Sequence, residues 1–384
     1  MYKLRDYQRK AVDASVAYME REDDRNGVVV LPTGAGKSLV IAHIAYRLDA
    51  PLIVFQPNKE ILAQNYAKMK EYDIPNVGIF SASFNKKEID KITFATIGSV
   101  KTHKEYFRRF KYAIIDECHY VNAEEGMYKE FIEYTRLKVL GLTATPYRLH
   151  SDNRRQSILK ILTQTQPRIF DDIVFALQVN DLSRQGYLAE MKYYDYKIVD
   201  TRLLKVNHNG ADFTDESIRR YYARIQFHEK LTDIVLRLRR EGRQNILVFT
   251  RFTNEAEYLA KSIGAGASVV TGTTNPKERD KILSQFKRGM LNVIVNVGVL
   301  TTGFDFPELS TIVIARPTMS LALYYQMCGR AIRPYQDKIS WIVDLCGNVS
   351  RFGLVEDLML KQSENNWGVY KRNTELTNIP VNLL

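Results

Sequence analysis

In the stretch LPTGAGKS, Gly34, Gly36, Lys37 and Ser38 follow directly on the apolar run Val28–Val30. A helical pattern begins at Lys37. Glycines there, with Thr33 and Ala35 between them, let successive backbone N–H groups converge on one anion. The start of a helix adds a partial positive charge. Lys37 can then reach terminal phosphates, and the Ser38 hydroxyl can ligate a magnesium ion. The general pattern for such a loop has glycine where this sequence has Leu31. An ordinary glycine turn is the competing reading; the preceding strand and the Lys-Ser pair favour phosphate.

A phosphate site also needs a carboxylate for the metal and a group to activate water. YAIIDECH supplies both, as an apolar strand ending in Asp116 and Glu117. Asp116 can hold the metal, and Glu117 can orient or deprotonate an attacking water. His119 reads either as a bridge to other elements or simply as a polar residue after a strand.

Two to three domains fit a length of 384 residues. No run of about 18 apolar residues suggests a membrane span. The charged start MYKLRDYQRK lacks an apolar signal core. A cytoplasmic location, in a bacterial or phage-infected cell, is the expectation. The three cysteines, Cys118, Cys328 and Cys346, form no CxxC pair, so neither a zinc site nor a disulfide framework is indicated. The net charge of +11 is compatible with a polyanionic partner.

The elements that must position these residues alternate. GVVVLP, PLIVFQP, YAIIDE and LKVLGLTA read as strands. Helical patterns run over Lys37–Leu48, Asn58–Tyr72 and Ala123–Tyr134. Alternation of this kind predicts a parallel sheet with helices on both faces. Continuous apolar runs fit strands buried on both sides. Polar stretches at Tyr147–Gln166 and Thr201–Gln226 interrupt the pattern, the latter holding a loop at NHNGADFTDES. NILVFTR, ASVVTG, LNVIVNV, STIVIAR and ISWIVDL then resume it. Two α/β halves joined near Gly186–Tyr196 are expected.

Further stretches narrow the class: LRDYQRKAV from Leu4, GLTATP at Gly141–Pro146, NVGVLTTGFDFP at Asn296–Pro307 and YYQMCGRAIRP at Tyr324–Pro334. With the phosphate loop and the DECH box, in this order, the sequence resembles superfamily 2 helicases and translocases. It is most similar to the RadD, UvsW and XPB group of DNA helicases, with a RadD-like or phage-type relative ranked first. RadD-type proteins carry a cysteine-rich zinc segment after the core, which this sequence lacks. The resemblance implies an α/β fold of two RecA-like domains in tandem, with ATP in a cleft between them. The expected division is 1–190 and 191–361, followed by a tail of 362–384.

The same resemblance implies roles. Gln8 would read the adenine edge, with Arg5 stacked on the base. Arg330 and Arg333, three apart on a predicted helix and so on one face, would reach the γ-phosphate from the second half, with Gln326 helping. Gly303 and Asp305 would meet the ribose side. His119, Thr143 and Thr145 would couple hydrolysis to movement. ATP and Mg²⁺ are the implied cofactors, with Ser38 and Asp116 on the metal. DNA contacts are implied at Pro57, Asn58, Lys59, Ser99 and Lys101. In the second half they are implied at Thr250, Arg251, Thr271, Gly272 and Thr302. Such contacts grip backbone phosphate without reading sequence.

The basic, aromatic stretch SVKTHKEYFRRFKY is balanced between a nucleic-acid groove wall and a solvated face. For SIRRYYARIQF the solvated reading, charge over a core-facing aromatic stripe, is favoured. The leading functional expectation is a monomeric ATP-dependent motor on single-stranded, forked or branched DNA, in repair, recombination or replication. A single-strand-binding protein is a candidate partner. The alternatives are an RNA helicase, or a nucleic-acid clamp with weak ATPase.

Overall fold

The computed structural model describes residues 3–151, 156–301, 303–363 and 366–381. The chain forms two compact units. The first comprises Met1–Arg148, Lys160–Gln178 and Leu360–Gly368; the second comprises Leu149–Leu159, Val179–Met359 and Val369–Leu384.

The first unit begins with α1 (Asp6–Met19), β1 (Gly27–Val30), α2 (Lys37–Arg47), β2 (Leu52–Phe55) and α3 (Lys59–Glu71). It continues through β3 (Val77–Ser81), β4 (Lys86–Lys87), β5 (Ile92–Ala95), α4 (Ile97–Val100), β6 (Tyr112–Asp116), α5 (Met127–Thr135) and β7 (Lys138–Thr143). A short pair, β8 (Tyr147–Ser151) and β9 (Ser157–Ile161), most of whose residues belong to the second unit, intervenes before β10 (Asp172–Ala176). One eight-stranded sheet results, in the order β10-β1-β7-β6-β2-β5-β3-β4. Every neighbouring pair in it is parallel except β3 with β4. Alternate residues of each strand point to opposite faces. Val28, Val30, Ile53, Phe55, Ala113, Ile115 and Val139 join Phe107 and Phe131 in one core. Val29, Val54, Ile114 and Leu140, on the other face, are fully buried too. Burial on both faces is what the uninterrupted apolar runs require.

The second unit holds α6 (Val179–Arg184), β11 (Glu190–Asp195), α7 (Asp215–Arg224), α8 (Phe227–Arg240), β12 (Ile246–Thr250), α9 (Thr253–Ile263), β13 (Ala267–Thr271) and α10 (Pro276–Lys287). β14 (Val293–Val297), β15 (Thr311–Ala315), α11 (Leu321–Cys328), β16 (Ile339–Asp344) and α12 (Asn348–Phe352) follow. Its six-stranded sheet has the order β11-β16-β15-β12-β14-β13 and is parallel throughout. Val248, Val295, Val313 and Val343 pack with Phe227, Leu231 and Val235 in a single core. The chain ends in β17 (Leu358–Ser363), β18 (Asn366–Lys371) and β19 (Thr374–Glu375), a three-stranded sheet.

Two α/β halves with largely parallel sheets are therefore present, as the alternation indicated. The stretch expected to join them differs. Residues 190–195 form an edge strand in register with β16, because Tyr193 and Tyr194 supply enough apolar surface to half-bury it. The helix expected from Ala123 begins at Met127, where Gly126 is the N-cap. Trp341 packs against the second core, as read from the sequence, and lies 4.7 Å from Tyr194. All three cysteines are buried and free.

Gly141, inside β7, has no room for a side chain. A Cβ there would lie 2.6 Å from Cys118 Sγ and 2.9 Å from Phe170. Gly141→Ala should therefore destabilise the first unit by about 1–3 kcal/mol of overpacking, read as a lower denaturant midpoint. Gly98→Ala, where a Cβ meets nothing within 4 Å, should leave it unchanged or raise it. Urea unfolding of both variants checks this pair.

Candidate nucleotide site

β1, β7 and β6 are neighbours and parallel, so their C-terminal ends share one edge of the sheet. The phosphate loop leaves β1 at that edge. Leu31 N–H donates to Thr143 O at 2.9 Å, which ties the loop to the end of β7. Gly34 and Gly36 have φ of 88° and 78°, the left-handed region in which a Cβ is penalised. Gly36 is the N-cap of α2, which makes Lys37 and Ser38 the first two helical residues.

The start of α1 is clasped to this loop. Gln8 Nε2 donates to Ala35 O at 2.9 Å, and Gln8 Oε1 accepts from Arg5 N at 2.9 Å. Tyr7 Oη donates to the same Ala35 carbonyl at 3.1 Å. A Cβ on Gly36 would sit 2.5 Å from Gln8 Nε2, so glycine is what lets the loop lie under the Gln8 amide. One N–H and one lone pair of that amide remain for a further partner. Arg5, the N-cap of α1, is exposed beside it.

Opposite the loop, Asp116 ends β6 and Glu117 follows it with φ of 52°. Lys37 Nζ lies 3.2 Å from Glu117 Oε1, with the side chains 14% and 18% exposed. Glu117 Oε2 lies 3.4 Å from His119 Nδ1. That nitrogen is also 2.8 Å from Thr143 Oγ1, which accepts from Thr145 N at 3.0 Å. Lys37, Glu117, His119, Thr143 and Thr145 thus form one continuous polar chain. Asp116 is buried, and its Oδ1 accepts from Glu117 N at 3.0 Å. Burial raises the Asp116 pKa, the Glu117 charge adds to the effect, and Lys37 opposes it. Burial also lowers the His119 pKa, against the pull of Glu117. A desolvated carboxylate of this kind is relieved by a cation. Asp116, with the Ser38 hydroxyl and water to complete the shell, is the sort of donor set magnesium takes.

In the second unit, Gln326 lies on α11, but Arg330 and Arg333 do not. The helix ends at Cys328 with Gly329 as C-cap, so the expectation that the two arginines share a helical face is wrong. They meet one segment nonetheless. Arg330 Nη1 donates to Phe304 O at 2.8 Å, and Arg333 pairs with the Asp305 carboxylate. Gly303, with φ of 75°, turns the chain just before them. Lys338, which sequence reasoning passed over, donates to the carbonyls of Pro307, Leu309 and Ala331 at 2.7–3.0 Å. Burial pushes its pKa down to about 8, with Arg333 and Arg243 contributing. A lone lysine after a turn gives no signal in sequence for such a role.

The residues implied for DNA contact lie mostly at strand–helix junctions. Asn58 caps α3, its side chain accepting from Ile61 N at 2.9 Å, with Pro57 before it and Lys59 opening the helix. Ser99 Oγ accepts from Ala82 N at 2.9 Å, and Lys101 is exposed at the end of α4. Thr250 is 1% exposed. Arg251 is held by Asp212 at 2.6 Å and Asp215 at 2.8 Å. Thr271 Oγ1 bonds Thr273 Oγ1 at 2.9 Å, and Gly272 has open space at its Cβ position. Thr302 falls outside the described residues. Lys104 and Arg108 both stack on Tyr134. In the second basic stretch Arg220 pairs with Glu216, while Tyr222 is buried against Phe227. That is the solvated-face pattern the sequence favoured there. Among the described residues no helix is long and apolar enough to cross a membrane.

Residues 1–148 match the family described as Type III restriction enzyme, res subunit, and residues 227–335 match the helicase conserved C-terminal domain. A putative ATP-dependent helicase IRC3 of Saccharomyces cerevisiae is 27% identical over 380 residues, covering 92% of this chain and 52% of the yeast protein. The DNA 3'-5' translocase XPB2 of Sulfurisphaera tokodaii is 28% identical, covering 89% of this chain and 81% of the archaeal one. The chain spans about half the length of the yeast relative. A fragment of a putative HsdR subunit of a type I restriction enzyme from Vibrio vulnificus superposes with a TM-score of 0.69 at 20% identity. It covers 92% of this chain and 66% of that one. The fold is therefore that of the two-domain RecA-like proteins, and both halves of the chain are similar to superfamily 2 helicases. Within that superfamily the chain is similar to the XPB-like group.

Thr143→Val would remove the hydroxyl that joins His119 to Thr145 and leave a buried N–H unpaired. The expected loss is about 1–3 kcal/mol of stability in the first unit, read as a lowered midpoint in thermal or denaturant unfolding. Thr143→Ser, which keeps the hydroxyl, should recover most of it.

Proposed function

We propose that this chain is an ATP-dependent DNA translocase or helicase that acts on single-stranded, forked or branched DNA. The observation that supports this most is the Lys37–Glu117 pair beside buried Asp116, at the ends of adjacent strands under a glycine loop. The XPB-like relatives, two of them named as a DNA translocase and a DNA helicase, point to the same chemistry.

ATP brings the γ-phosphoryl group to be transferred, and magnesium held by Asp116 and Ser38 would neutralise phosphate charge. Lys37 exchanges its bond to Glu117 for phosphate oxygens, which carry more charge. Glu117 is thereby freed to accept a proton from water, within a contact network that fixes its orientation. His119 stays on the second carboxylate oxygen and carries any shift of Glu117 to Thr143 and Thr145. Gln8 keeps the loop closed through Ala35 while its remaining amide groups face the base, with Arg5 alongside. Arg330, Arg333 and Gln326 are assigned to the γ-phosphate, and Gly303 and Asp305 to the ribose side. For the arginines this requires that each give up its present partner in the 304–305 segment. A guanidinium added to a phosphoryl transition state is worth about 10³–10⁵ in rate. DNA is assigned to the residues from Pro57 to Thr302 already named, gripping backbone phosphate in a salt-sensitive manner.

Lys37→Ala should keep its fold and lose ATP turnover to background, measured by phosphate release. In the unmodified chain, single-stranded or forked DNA should raise the turnover rate, and matched RNA should raise it less. Normal hydrolysis by the variant would refute the loop assignment. A flat response to every nucleic acid would refute the motor.

A further inference from the structure

A cavity of about 410 Å³ opens in the second unit, lined by Arg219 and Tyr222 of α7, His228 of α8, and Asn254, Glu255 and Tyr258 of α9. Its size lies within the range of built ligand sites. Glu255 is 6% exposed. Its Oε1 accepts from Asn254 Nδ2 at 3.1 Å. Its Oε2 is buried with no hydrogen-bond partner among the described residues. Such a group costs free energy unless a donor reaches it. Burial raises the Glu255 pKa, and Arg219 and His228 pull against it.

The walls are aromatic. His228 meets Tyr258 edge-on at 4.5 Å, and Tyr258 is 42% exposed, which leaves its ring open to a partner. Arg219 lies 3.8 Å over the Phe252 ring, which fixes its guanidinium at the rim. α9 begins three residues after β12 ends in Thr250, so the cavity adjoins a segment assigned to nucleic acid.

The charges choose the ligand. A lysine or arginine from a protein partner would be attracted by Glu255 and repelled by Arg219. A phosphate alone would meet the opposite conflict. What satisfies both is a flat ring with adjacent donors on one edge and acceptors on another. A carboxylate can take two donors at once, and guanine offers N1–H and N2–H side by side. Guanine also presents O6 and N7 acceptors, the pair that arginine reads. Adenine and cytosine place an acceptor beside their amino group, and thymine flanks its N–H with carbonyls.

We propose that this cavity receives an unstacked guanine from a nucleic-acid strand, with Glu255 accepting from its N1 and N2 donors, Arg219 donating to O6 or N7, and Tyr258 against the ring. The inference rests on the reading of the chain as a nucleic-acid motor and adds base selectivity to it.

The test is fluorescence anisotropy with the full chain and labelled thymidine strands of about fifteen nucleotides, carrying at the centre a guanine, an inosine or another thymine. The guanine strand should bind about tenfold more tightly than either of the others, since inosine lacks the N2 amino group. Glu255→Gln should bring that ratio close to one while thymidine binding persists. Tyr258→Ala, a change at a half-exposed ring, should reduce it as well. Equal affinity for all three strands, or a guanine preference that survives both substitutions, would overturn the inference and leave the motor standing. Displacement of the strand by guanosine monophosphate, with no preference among strands, would assign the cavity to a free nucleotide and overturn it too. Failure to bind any strand would overturn both readings.

Discussion

The ion pair between Lys37 and Glu117 is the interaction on which the first unit's site depends. It exists because β1, β7 and β6 are adjacent and parallel, which brings a loop, a strand end and a threonine to one edge of the sheet. Both side chains are largely withdrawn from water, so neither charge is stable without a partner. That makes the pair exchangeable but not dispensable. In the proposed cycle a phosphate would replace Glu117 as the partner of Lys37, and that exchange would release Glu117 from Lys37 to act on water. The polar run from Glu117 through His119 and Thr143 to Thr145 gives such an exchange somewhere to travel.

The helix before the sheet belongs to the same arrangement. Gln8 and Tyr7 both use the Ala35 carbonyl, so the group assigned to the base also braces the loop assigned to phosphate. Under that assignment, base recognition and phosphate binding would be mechanically linked through a few atoms. In the second unit the parallel is the segment Phe304–Asp305, which holds Arg330 by a carbonyl and Arg333 by a carboxylate. Arg251 is held likewise, between Asp212 and Asp215 of the polar insertion. Arg251, Arg330 and Arg333 are each parked on a protein acceptor, with which phosphate would have to compete.

The parts of this arrangement that chemistry confines to a few consecutive residues were legible in the sequence. The glycine loop and the Asp-Glu pair announce themselves because no other residue types bend and charge the chain in that way. Buried parallel strands were legible for the same reason, as in GVVV and YAIID. What was not legible depends on residues far apart or on polar edges. β11 reads as a connector because five of its six positions are charged or tyrosine. Arg330 and Arg333 read as helical because one glycine, Gly329, does not by itself mark a C-cap. The clamp on Arg251 joins residues 36 and 39 apart in sequence, within a stretch that reads as loop. Glu255 looks like any first-turn glutamate until its burial is seen.

The most direct measurement pairs ATP affinity with single-turnover hydrolysis in Glu117→Gln, which keeps the shape of the side chain but removes its charge and basicity. If Lys37 is passed from carboxylate to phosphate and the carboxylate then serves water, the variant should bind ATP at least as tightly as the unmodified chain. Its hydrolysis should be slower by about 10²–10⁴-fold. Hydrolysis within a few-fold of the unmodified rate, or loss of ATP binding with the rate of bound turnover intact, would contradict the account.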